Sequence, residues 1–309
     1  MTPTTRLYFD DPLLLSFTAR VTAHGTFGGA ATVVLDRTAF YPEAGGQMAD
    51  RGELGGLPIV DVQVDDAGVV HHRVDGALPP VGGEVAGSVD RARRRVHMAL
   101  HTGQHMLSRA LEDVARAATV SSRLGETACT IDVDVAALDE RRVAEAEALV
   151  NAVVDDDVLV RAFFPDPAEL ASLPLRRTPK VTDNVRVVAI GDFDVSPCGG
   201  THCLRTAQVG FVRVVGVERY KGKARVTFSA GRRARDAVVA EAAVLRGLGK
   251  QFTCGPDDVP LAVEKLRREL EGARHALGRA RGKAADAIAE ELSARARGGE
   301  PLVVATLDD

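Results

Sequence analysis

Over residues 1–90, apolar and polar positions alternate in short runs such as "FTARVTAHGTFGGAATVVLD" and "PIVDVQVDDAGVVHHRVDG", each bounded by glycine-rich breaks. A period of two is the signature of strands with one buried face. Several short strands at this spacing suggest a barrel or sandwich, and a small β-barrel is the expected form. One loop interrupts the pattern: "FYPEAGGQMADRGEL", Phe40 to Leu54, whose glycines allow backbone to approach a partner closely.

The period changes near Asp90. Val96, Leu100, Gly103, Leu107, Leu111 and Val114 follow at three- and four-residue steps, one face of an amphipathic helix running to about Ala117. A strand is predicted at "ACTIDVDV", a helix at "LDERRVAEAEALVNAVVDDD", and further strands at "NVRVVAIGD", "VGFVRVVGVERY" and "ARVTFSAG". The "KGK" between the last two reads as a hairpin turn. Without regular βαβ alternation, residues 91–231 are predicted to form an α+β domain.

From Arg232 the composition turns to Ala, Arg, Glu and Leu. Val263, Leu266, Leu270, Ala273, Leu277, Ala280 and Ala284 form a heptad-like stripe rich in small residues. An antiparallel helical hairpin broken around "TCGPDDVP" is expected over 232–309, with these helices a candidate homodimer surface. The closing "EPLVVATLDD" reads as a strand, either pairing with an element already built or opening a further C-terminal domain.

Composition narrows the class without naming a function. The 309 residues are 45% hydrophobic and 27% charged, ordinary for a globular protein of two or three domains. A net charge of −4 gives no global basic field, so any RNA contact must use local arginine clusters. Candidate clusters are Arg91 with Arg93–Arg95, then Arg176, Arg177 and Lys180, then Arg219, Lys221, Lys223 and Arg225. Four cysteines do not make a disulfide framework, and the N-terminus lacks the basic-then-apolar order of a signal peptide. No apolar run is long enough to span a membrane, and a cytoplasmic protein is expected.

Candidate chemistry sits in two fragments. In "LHTGQHML", His101 and His105 stand one helical turn apart, as do His97 and His101, so either pair can reach one ion. The glutamate that would make this a metalloprotease helix is absent. In "SPCGGTHC", Cys198 and His202 flank two glycines. A thiolate with imidazoles is a zinc set that oxygen-preferring Mg²⁺ and Ca²⁺ would not select. Cys203, beside His202, reads as packing, and His71 and His72 as structural residues of a strand.

Taken in order, "FYPEAGGQMADRG", "DRARRRVHMALHTGQH", "VRVVAIGDFDVSPCGGTH" and "RTAQVGFVRVVGVERYKGKARVTFSAGRRA" resemble the editing domain of alanyl-tRNA synthetases and its free-standing relatives, the AlaX-type editing proteins. The resemblance covers nearly the whole chain and looks like their long form. It implies one zinc ion per chain on His101, His105, Cys198 and His202, leaving His97 outside the set. It also implies hydrolysis of serine, and secondarily glycine, from the acceptor end of tRNA(Ala). Gln104, Ser122 and Cys198 are the catalytic candidates; Gly45, Gly46, Gln47 and Thr127 are the substrate-binding ones. Asp192 is a candidate to orient a ligand imidazole. Two other readings stand beside this: a zinc-stabilised tRNA-binding or dimerisation module without turnover, and editing of Ser-tRNA(Thr).

Overall fold

The computed structural model describes residues 2–179 and 181–299. Lys180 and the strand expected within residues 300–309 lie outside the described residues. One compact unit ends at Ala237 and a second begins at Val238.

The first unit opens with β1 (Thr5–Arg6), a helical turn at Leu7–Phe9, β2 (Ser16–Phe27), β3 (Ala30–Leu35) and β4 (Arg37–Thr38). It continues through β5 (Gly52–Leu54), β6 (Leu57–Val64), β7 (Val70–Val74) and β8 (Glu84–Val89). Six of these form a closed antiparallel sheet in the order β2-β3-β7-β6-β5-β8, because β2 pairs with both β3 and β8. The alternation read from sequence is the reason it closes around a core. Val21, Val33, Leu35, Leu54, Ile59, Val62, Val85 and Val89 point inward with Phe40, and every second residue of β8 is exposed. His72 is buried among these strands, bonded to Thr38 and the carbonyl of Val33, and is structural.

Next comes α1 (Arg91–Ala115), started by Asp90, whose carboxylate accepts the amides of Ala92 and Arg93. The remaining elements are β9 (Thr119–Leu124), β10 (Cys129–Val133), α2 (Glu140–Asp155), β11 (Val160–Phe163), α3 (Pro167–Ser172), β12 (Val187–Ile190), β13 (Asp194–Pro197), β14 (Val212–Tyr220) and β15 (Lys223–Ala230). They form an antiparallel sheet β14-β15-β10-β9 and a smaller one, β11-β12-β13. Lys221 and Gly222, both at positive φ, make the β14–β15 turn. The fold of this part is α+β.

One expectation needs correction. The period of α1 predicted a single buried face, yet every residue from His97 to Ser108 is buried. The helix packs on α2, β9, β10, β13 and β15 together, so its histidines stand inside the protein. Arg94 explains how the helix joins the closed sheet: its guanidinium is buried against Asp50 and donates to the carbonyls of Pro12 and Ala39. The same Asp50 accepts the amide of Tyr41, which ties the Phe40–Leu54 loop to the helix.

After β15 come α4 (Gly231–Phe252) and α5 (Val259–Arg297), separated by a break containing Thr253 at φ 57° and Pro256. The break falls where the sequence placed it. Among the described residues the stripe is not packed into a hairpin seam: Leu266, Leu270 and Leu277 remain 51%, 50% and 55% exposed. Alanines between them leave too little apolar surface to bury within one chain. Among the described residues, no helix is long and apolar enough to cross a membrane.

Candidate metal centre

The ligand pairs meet. On α1, His101 and His105 have ring centroids 5.2 Å apart. β13 delivers Cys198, and the turn after it brings His202 back, its ring 4.4 Å from that of His101 and 4.9 Å from that of His105. One ligand atom from each of the four residues lies within 4.8 Å of the others. Cys198 Sγ is 3.4 Å from His101 Nε2 and 3.3 Å from His202 Nε2. Those separations fit the edge of a tetrahedron around zinc, about 3.5 Å from ordinary Zn–S and Zn–N lengths.

The outward nitrogens are held as a metal site requires. His101 Nδ1 is 2.7 Å from Gln47 Oε1, His105 Nδ1 is 3.3 Å from Asp194 Oδ2, and His202 Nδ1 is 3.3 Å from Thr102 Oγ1. Gln47 fixes the tautomer of His101. Its Oε1 also accepts the amide of Thr201, so it must be the carbonyl oxygen, and His101 must donate from Nδ1. That leaves Nε2 with a free lone pair facing the cluster. Asp194 does the same for His105, whose Nε2 is buried without a hydrogen-bond partner. An orphaned imidazole nitrogen beside a thiol and two further imidazoles fits zinc.

Electrostatics agree. Burial opposes the charged form of Cys198, but His101, His202 and His105 outweigh it and hold the thiol well below its ordinary range. Burial pushes His202 down to about 3, against the pull of Cys198. Burial also lowers His105, but Cys198 and Asp194 outweigh that and raise it. Asp194 falls to about 2: burial opposes this, and the bonds and charges of His105 and Arg176 prevail. The cluster thus favours a thiolate at Cys198, the form in which cysteine binds a metal.

Two glycines shape the centre. A Cβ on Gly200 would stand 2.2 Å from His101 Cε1, so only glycine lets the turn close against that ring. At Gly46, φ is +86° and a Cβ would lie 2.5 Å from the carbonyl oxygen of Ser122. The Gly46 carbonyl accepts the amide of Leu124, docking the Gly45–Gly46–Gln47 turn onto β9. Gln47, Gly46 and Ser122 therefore come together, whereas Gly45 and Thr127 are exposed, Thr127 in the β9–β10 turn. Gln104 is buried, and its amide donates to Ser108 one turn along the helix.

Several placements differ from the sequence reading, and two agree with it. Asp192 is exposed in a turn, and Asp194 takes the orienting role because β13 begins there and turns its side chain inward. Arg176, read as a candidate RNA contact, is instead buried: its side chain is 3% exposed and paired with Asp194. Arg93, Arg94 and Arg225 are likewise paired, with Glu126, Asp50 and Asp132. His97 is buried outside the four-donor group, and Cys203 packs in the core.

Comparison with known proteins agrees with this layout. Residues 185–227, which carry Cys198 and His202, match the threonyl and alanyl tRNA synthetase second additional domain. Residues 15–93 match the class II (A) tRNA synthetase model. Alanyl-tRNA editing protein AlaX-L of Pyrococcus horikoshii is 31% identical over 273 residues, covering 86% of this chain and 67% of the relative. The chain belongs to the AlaX-type alanyl-tRNA editing family. Alanine–tRNA ligases also match this AlaX-type chain. That of Halorubrum lacusprofundi is 36% identical over 315 residues and that of Archaeoglobus fulgidus 33% over 317. The chain spans about a third of those ligases, 32% and 33% of their length.

Proposed function

We propose that this chain hydrolyses mischarged tRNA(Ala) in trans, chiefly Ser-tRNA(Ala) and secondarily Gly-tRNA(Ala), with one zinc ion held by His101, His105, Cys198 and His202. The observation that carries the reading is the convergence of these four donors in a member of the AlaX-type family. When bound, zinc supplies Lewis acidity at the ester or an anchor for the substrate's polar groups. An aminoacyl ester is labile, so the residues of the chain need mainly to position its carbonyl and exclude the wrong amino acid. Alanine lacks only the serine hydroxyl. A site that must hydrogen-bond that hydroxyl rejects alanine, whose binding would leave its polar groups unpaired. Ser122 and the Gly46–Gln47 turn docked beside it supply polar groups of that kind, with Gln104, Thr127 and Gly45 as further candidates. Arg91, Arg95, Arg177, Arg219 and Lys221 are exposed and available to phosphates. The exposed stripe of α5 supports a homodimer through the C-terminal helices.

A second reading is favoured by the donor count, since four protein ligands complete a structural zinc. The metal would then stabilise a tRNA-binding module without turnover. Deacylation of Ser-tRNA(Ala), Ala-tRNA(Ala) and Ser-tRNA(Thr) by wild type and Cys198→Ala, with zinc content and folding measured in parallel, separates them. Rapid loss of serine from tRNA(Ala), sparing of alanine, and loss of activity in Cys198→Ala are expected. No turnover by folded, zinc-loaded protein favours the structural module, and preference for Ser-tRNA(Thr) shifts the substrate.

A further inference from the structure

Gly199 and Gly200 give the turn between Cys198 and His202 no stiffness of its own, yet its place decides whether the thiolate and His202 reach α1. Gln47 holds its Thr201 end, and a second side chain holds the Cys198–Gly200 end. Arg186, immediately before β12, is 5% exposed. Its Nη1 donates to the carbonyl of Cys198 at 3.1 Å and to that of Gly200 at 2.9 Å. The main-chain carbonyl of Arg186 accepts the amide of Cys198 at 2.9 Å.

The guanidinium is itself held from below. Its Cζ lies 4.9 Å from the ring centroid of Phe9, in the turn that precedes the closed sheet. Phe9 meets Tyr8 edge-on at 4.9 Å and Phe164 at 5.7 Å, and Tyr8 meets Tyr41 at 5.4 Å. As a packing residue Arg186 is a poor choice. Its charge is desolvated and its Nε is buried without a partner, both of which cost stability. An apolar side chain would fill the space at lower cost. Only a donor can bind two carbonyls two residues apart.

We propose that Arg186 is a positioning residue for the metal centre, a strut between Phe9 and the Cys198–Gly200 turn that sets where the Cys198 sulfur stands relative to the imidazoles. The proposal rests on the four-donor site of the preceding section but not on turnover there.

Cobalt(II) loading of the full chain tests it, because the thiolate-to-cobalt absorption reports the sulfur directly. Arg186→Met should fold and take up cobalt with at least about tenfold weaker affinity, as for other groups that orient ligands. Its charge-transfer band should be displaced, and kcat should fall more than KM changes. Arg186→Lys, which keeps a donor but loses the planar fork, should recover part of each change. Phe9→Leu should shift the band in the same direction by less. A wild-type band and affinity in folded Arg186→Met overturn the proposal, even if its melting temperature falls. If that variant does not fold, wild-type bands in both Arg186→Lys and Phe9→Leu overturn it. The cobalt readout requires no hydrolysis, so failure of the editing assay and failure of this proposal are separate results.

Discussion

Gly200 lies against His101 so closely that a Cβ would stand 2.2 Å from the imidazole. The ring cannot swing aside without breaking its bond to Gln47, whose Oε1 holds the adjacent Nδ1 at 2.7 Å and would itself stand 3.1 Å from that Cβ. Gly200→Ala should therefore push the turn away from α1 and separate Cys198 from the histidines. A folded protein whose zinc affinity has dropped at least about tenfold is expected. Competition with a chromophoric chelator measures it, and undiminished affinity would contradict the close approach.

Asp194 links the centre to pH. Its folded value of about 2 lies below the ordinary 3.8, so the unfolded chain binds more protons in that interval. The stability it confers on the metal-free protein is complete above the unfolded value and is lost as pH falls through about 2. The shift corresponds to about 2 kcal/mol. Asp194→Asn should be less stable than wild type by at least that amount at neutral pH, and urea titrations should show the gap narrowing below pH 3.8. A gap independent of pH would reject the assignment.

The buried pair of Arg94 and Asp50 is a stability element that contributes none of the four donors. Asp50→Asn leaves a desolvated guanidinium without its counter-charge and should cost about 3–5 kcal/mol in guanidinium unfolding. Replacing Arg94 with Met in the same chain should recover part of the loss, since no charge is then stranded. A cost below about 1 kcal/mol, the worth of an exposed pair, would show that the pair is effectively solvated.

The leucines of α5 carry the dimer prediction. Leu266 and Leu270 are 51% and 50% exposed, and charge at both should abolish association through that stripe. Sedimentation velocity should show a wild-type dimer and a monomeric Leu266→Glu/Leu270→Glu variant with helix content retained. A wild-type chain that stays monomeric at its highest soluble concentration removes this interface.

The four-donor cluster was legible because each pair is local: an i, i+4 spacing on a helix and a glycine turn both appear as short words in the chain. Their outer partners were not. Asp194 and Asp192 are two residues apart, and which one faces inward depends on where β13 starts pairing, a tertiary decision. Gln47 read as a loop residue near substrate, but its contacts with His101 and Thr201 join segments 54 and 154 positions apart. Arg176 read as a candidate RNA contact, and its pairing with Asp194, eighteen residues on, is not visible in the sequence. The period of α1 understated its burial, because polar residues such as Thr102, Gln104 and Ser108 are buried there too.

Those long separations bear on how the protein is made. Cys198 and His101 are 97 residues apart, and Gln47 reaches Thr201 across 154. The centre can be assembled only after most of the first unit has found its topology, since such distant contacts carry the largest loop-closure cost. A metal ion arriving early finds only the two helix histidines, a weak and incomplete trap. Zinc added to a refolding chain should leave the folding rate unchanged and slow unfolding instead, locking a finished structure rather than seeding it.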